Sequence, residues 1–212
     1  MATAVIALGE MLRNTRTAGS MTSLIANTTK LILQSNELLF QRLPAITTLA
    51  LSSFQIATSN LRSLMYWPVV PIALIDALKE YRKVDERSWL KIANSVTEAF
   101  SSAFSVVAIA ASSGRARKWA GWTRLVCDMH GLKEARGIEV GQTEYGQFEK
   151  TWKIRQCALS ILADLTGIFS GYIQNKIIQA RVALAMSVMV VSAVTLALWL
   201  SYRKAYRQVA AA

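Results

Sequence analysis

Side chains able to do chemistry are few in this sequence, and they do not form a recognisable set. The single histidine, His130, follows Cys127 by three residues in Cys127-Asp128-Met129-His130, a spacing that puts both on one helical face. A structural zinc site usually takes four such ligands, and the only other cysteine is Cys157. Cys–His nucleophilic catalysis also needs a third group to orient the imidazole, and the sequence displays none. Glycine-rich dinucleotide loops, GKS or GKT phosphate loops, HExxH and GxSxG are all missing. The expectation is therefore no catalytic residue, no cofactor, no metal ligand and no enzymatic activity.

One acid stands apart. Asp164 is the lone carboxylate between Thr151 and Ala212. Inside lipid such a group is costly and marks a path or site for ions or protons. The pattern around it points to a milder role: Ile154, Ala158, Ile161, Leu165, Ile168 and Tyr172 line one face, with Lys153, Gln156, Ser160 and Asp164 opposite. Asp164 is expected on the polar side of an amphipathic helix, with a small channel or transporter as the sharper alternative. On the same segment Ala163, Gly167 and Gly171 recur every fourth residue. Such a line of small residues lets a second helix approach closely.

A third cluster is Gly114 to Arg124, GRARKWAGWTR, where Arg115, Arg117, Lys118 and Arg124 interleave with Trp119 and Trp122. Beside an apolar run this reads as a membrane-interface anchor, cations meeting phosphate headgroups and indoles lying at the boundary. A solvated basic turn is the plainer reading. Cations and aromatics also serve nucleic acid, but no nucleic-acid-binding fold motif accompanies them, and nucleic acid is not an expected partner.

The elements that must carry these residues are helical. Val182 to Tyr202 holds no charge, glycine or proline and has the length that about 30 Å of hydrocarbon demands. Trp199, Tyr202, Arg203 and Lys204 sit at its end, where interfacial anchors belong. It is expected to span a membrane; its rival is the buried core helix of a soluble, basic binding module. Three further runs, 44–61, 88–113 and 148–175, repeat apolar residues at helical spacing and keep a polar face. The 44–61 run looks amphipathic rather than spanning. Pro68 and Pro71 predict a bend, followed by a short helix over 72–83.

The expected fold is all-α: a bundle of about five to six amphipathic helices with one strongly hydrophobic C-terminal helix. Four segments divide it: a Ser/Thr-rich helical stretch 1–43, amphipathic helices 44–124 ending in the basic–aromatic cluster, a glycine-bearing polar loop 125–150, and a hairpin or long helix 151–212. The paired apolar segments 156–174 and 182–202 are loosely similar to the bilobed hydrophobic domain of chlamydial inclusion-membrane proteins. That resemblance implies a secreted bacterial protein inserted in a host membrane.

Composition agrees with a membrane setting. Charged residues make up 17% and hydrophobic residues 53%, against about 25% charged in ordinary soluble domains. The net charge of +11 suits anionic lipid or an acidic protein. The expected work is non-enzymatic: scaffolding, membrane shaping or partner docking through the 125–150 loop. Lipid and a protein partner are the expected contacts, self-association stays open, and the N-terminal part is expected on the cytoplasmic side.

Overall fold

A computed structural model describes residues 2–13, 15–83, 88–111, 114–137, 144–170 and 172–210. Among them are eight α-helices and no strand: α1 (Ala2–Arg13), α2 (Thr15–Ser35), α3 (Ala45–Tyr66), α4 (Val69–Tyr81), α5 (Trp89–Ala110), α6 (Gly114–Gly137), α7 (Glu144–Ser170) and α8 (Lys176–Ala210). The all-α class holds, and the C-terminal helix is long and apolar.

Local chemistry sets the helix ends. Past a π-helical turn at Asn36–Phe40, the Asn36 side-chain oxygen accepts the N–H groups of Arg42 (3.0 Å) and Leu43 (2.9 Å). Gln41 there adopts φ 47°, a left-handed conformation that ends the turn. Pro44 precedes α3, as proline suits a helix start. Asn175 caps α8, its Oδ1 accepting from the N–H groups of Ile177 and Ile178 at 3.0 and 3.2 Å. Glu80 ties the end of α4 to the start of α5: it meets Lys83 Nζ at 2.7 Å and accepts the Ser88 N–H at 3.2 Å.

Two boundaries differ from the sequence reading. The bend at Pro68 and Pro71 is confined to a turn at residues 67–68, and α4 starts at Val69, because Pro71 falls in its first turn where no N–H is needed. The expected polar loop 125–150 is mostly helix: 125–137 complete α6 and 144–150 open α7. Glycine there does not break the chain: Gly131 lies inside α6 at its contact with α7, facing Cys157 Sγ, 3.5 Å from where a Cβ would stand. Of the hairpin and the long helix expected over 151–212, the structure has the hairpin: α7 and α8 are separate helices joined through a turn at Tyr172.

The helices run alternately up and down and close into a ring: α2 packs on α3, α3 on α5, then α5, α6, α7 and α8 in sequence, and α8 back on α2. Facing residues fix the antiparallel register. Gly121 lies against Ile168 and Gly131 against Cys157 between α6 and α7; Gly167 lies against Met186 between α7 and α8. Gln34 of α2 accepts a 2.7 Å hydrogen bond from Ser187 Oγ of α8. Outside the ring, α4 lies on α5 and α1 on the end of α8, where Ala7 and Met11 bury against Ala205.

What the ring buries is unusual. Its buried apolar residues are mostly alanines, such as Ala26, Ala99, Ala120, Ala163 and Ala193, joined by Thr29, Thr58, Ser101, Ser102 and Ser187. Large apolar side chains face outward instead, including Ile46 (83% exposed), Leu49 (70%), Leu64 (65%) and Trp89 (64%). The accessible surface is 13620 Å², whereas a compact soluble monomer of 23.4 kDa exposes about 9,700 Å² by surface–mass scaling. The chain keeps its big side chains outside and its small ones inside.

Candidate functional site

The inner face of the ring gathers charge from four helices. Arg124 on α6 stands within electrostatic reach of Tyr66 on α3, Asp164 on α7 and Asp128 one turn along its own helix. Arg62 on α3 is close to Arg124, and Lys30 on α2 is close to Arg62. Asp128 and Asp164 approach each other across the α6–α7 contact. Asp164 Oδ2 and Arg62 Nε are buried without a hydrogen-bond partner.

Two cavities flank Arg124, which lines both. One, of about 280 Å³, is walled by Tyr66, Glu98, Ser101, Ser102, Cys127 and Asp128. The other, of about 450 Å³, meets Asn27, Lys30, Arg62, Lys118 and Asp164, with an apolar side formed by Trp122, Ile168, Met186 and Val190. The first is walled by hydroxyls and acids around a single cation. The second collects four cations against one acid.

Asp164 therefore does not lie on a solvated polar face, as its spacing suggested. Its side of α7 points into the ring, where Asp128 and Arg124 approach it, and Ile168 of the apolar stripe lines the same cavity. Ala163 is buried, and a Cβ at Gly167 would stand 3.0 Å from Met186 Sδ, so both small residues lie at α7's inner contacts. Gly171 lies outside the described residues.

The basic–aromatic cluster opens α6 as helix. Arg115, Lys118, Trp119 and Trp122 line a shallow surface notch, and Trp119 stacks on Phe104 at 6.5 Å. The side chain of Arg117 lies outside the described residues. Arg124, sequence neighbour to this cluster, belongs to the ring's centre instead. At the opposite end, Phe148, Trp152 and Trp199 meet edge to face with centroids 5.8–5.9 Å apart. Arg203 lies over Phe148 (4.7 Å) and Trp199 (5.2 Å), a cation–π arrangement. Lys204 is exposed there, while Tyr202 packs under α1. Because Gly121 faces Ile168, the two aromatic bands are separated by the α7 run from Trp152 to Ile168, about 24 Å at 1.5 Å per residue.

Helices Ala45–Tyr81 (α3 with α4) and Lys176–Ala210 (α8) are both long and apolar enough to cross a membrane, with mean hydropathy 1.3 and 2.2 in their most apolar windows. The first of these was expected only to be amphipathic. Only 17% of that window in α8 is buried, so α8 is a member of the ring and not a helix threaded through its middle.

No protein family, curated protein or solved structure matches the chain. Among the described residues no group of three or more His, Cys, Asp or Glu side chains could hold a metal.

Lys30, Arg62, Tyr66 and Asp128 escaped the sequence reading. A signal for two of them was present: Lys30 is the only charge between Arg16 and Glu37, and Arg62 the only one between Arg42 and Asp76. A solitary cation in a long uncharged helical run faces an interior rather than lipid.

Proposed function

We propose that the chain is a non-enzymatic integral membrane protein, held by α8 and α3–α4, whose ring of helices keeps a polar ligand or solute at its charged centre. The observation that carries this reading is the reversal of ordinary burial. In water, apolar surface is driven inward at roughly 25 cal/mol per Å², so a soluble bundle turns its leucines and tryptophans to the core. In lipid that drive vanishes, and helices associate through small residues that allow close approach. Alanine, serine and threonine inside, with Ile46, Leu49, Leu64 and Trp89 outside, follow the second rule. Two aromatic–cation bands about 24 Å apart, counted along α7, agree with an interfacial girdle on each side of a hydrocarbon layer.

Alkaline carbonate extraction tests this reading. The protein is expected to stay in the membrane pellet. Its release into the soluble fraction, or a monodisperse preparation without detergent, overturns the proposal in favour of a soluble basic binding module.

The same exterior favours a partner-docking or scaffold role as the second reading, because side-by-side contact within the membrane would use the outward faces of α3 and α4. Light scattering of the detergent-solubilised protein separates the two: a defined dimer or larger assembly supports docking, a monomer supports the self-contained ring.

A further inference from the structure

We propose that the larger central cavity is a binding site for a phosphate-type oxyanion, the head of an anionic amphiphile whose apolar part lies along Trp122, Met186 and Val190. The inference rests on the membrane reading above and adds the chemical class of what the centre holds. Four cations, Lys30, Arg62, Lys118 and Arg124, line a space of about 450 Å³ that contains one acid, Asp164. One carboxylate does not balance four cations, and Asp128 lines the other cavity. Lys30, Arg62 and Arg124 come from three different helices and repel one another across the cavity. Like charges gathered inside a bundle are expensive unless an opposite charge joins them.

Geometry points to an oxyanion in particular. Guanidinium groups present paired donors that match phosphate and carboxylate oxygens, and two of them reach this space. Arg62 Nε is a buried donor without a partner. The far side is apolar, formed by Ile168, Met186 and Val190, which suits an acyl or other hydrocarbon portion. A free phosphate would use only the cationic half.

The test is titration calorimetry on the full chain in a zwitterionic detergent, with three probes: inorganic phosphate, dihexanoyl phosphatidic acid and dihexanoyl phosphatidylcholine. The phosphatidic acid is expected to bind at least ten-fold tighter than the phosphatidylcholine. If it also exceeds inorganic phosphate ten-fold, the ligand is an anionic lipid; equal affinities make it a free phosphate. R62Q and R124Q should each weaken the anionic probes ten-fold or more, and K204Q, on the exposed tail, should leave them unchanged. Where an arginine variant fails to fold, K30M takes its place with the same expectation. Absence of binding by both anionic probes, or equal loss in K204Q, overturns the site. Carbonate extraction distinguishes the failures: a membrane-retained protein that binds neither probe loses the site alone, and a released protein that binds phosphate loses the membrane reading alone.

Discussion

Replacing Gly167 with leucine tests the α7–α8 contact that turns Asp164 into the ring. A Cβ at this position would stand 3.0 Å from Met186 Sδ, well inside the roughly 3.5–4.0 Å of a comfortable heavy-atom contact. Alanine adds only that Cβ. The methionine side chain can rotate away, and the helix gains about 1 kcal/mol from losing a glycine, so Gly167→Ala should fall within about 1 kcal/mol of the parent. Leucine adds three further carbons that a side-chain rotation does not clear, and overpacking of this kind costs about 1–3 kcal/mol. At roughly 2–4 °C per kcal/mol for a chain of this size, Gly167→Leu should lower the unfolding midpoint by several degrees in a detergent thermal scan. Gly131 is the matched control, since its Cβ would meet Cys157 Sγ at an ordinary 3.5 Å. Gly131→Ala should therefore raise the midpoint by about 2–4 °C through helix propensity alone. A Gly167→Leu protein as stable as the parent, or a Gly131→Ala protein that melts early, would refute the register of α6, α7 and α8 described above.

Ser187, 1% exposed, donates to Gln34 Oε1 at 2.7 Å; Ser187→Ala leaves that acceptor unpaired and should cost about 1–3 kcal/mol, read as a lowered midpoint. Protease protection reports topology: α1 packs on the tail of α8, so N- and C-terminal tags should be cleaved from the same side of sealed vesicles. The cations Lys150, Lys153, Arg155, Arg203 and Lys204 at that end predict the cytoplasmic side by the positive-inside rule, and cleavage of only one tag would contradict the ring.

Most helices were readable from the sequence because apolar residues recur in them at three- and four-residue spacing; α6, read as a basic cluster followed by a loop, was not. Which way a stripe faces was not readable. For Ile154, Ile161 and Ile168 the apolar stripe looked like the buried side and Asp164 like the wet one, because that is the rule in water. In the bundle Asp164 and Ile168 line the same inner cavity, so spacing alone does not tell inside from outside. Residues 125–150 misled for a related reason: glycines that suggest a loop can lie inside a helix, as Gly131 does in α6. The centre itself joins Lys30, Arg62, Arg124 and Asp164, whose sequence separations exceed any local pattern. Only the isolation of Lys30 and Arg62 in uncharged runs announced an interior.

Exterior and centre are consequences of one arrangement. Six helices of similar width in a ring, spaced about 8–10 Å apart, enclose a space near the width of one more helix. A soluble bundle fills such a space with leucine and phenylalanine. Here the inner faces carry alanine, serine and threonine, which pull neighbours together but leave room in the middle, and Arg124 occupies that room with a cavity on either side. Arg124→Ala should join the two cavities into one continuous polar space while leaving the outward apolar faces untouched. Reconstituted vesicles then give a direct reading: a phosphate leak through the variant that the parent lacks identifies Arg124 as the barrier between the two sides. Equal tightness of both proteins means that the ring is closed by packing elsewhere, and Arg124 serves the centre as a charge alone.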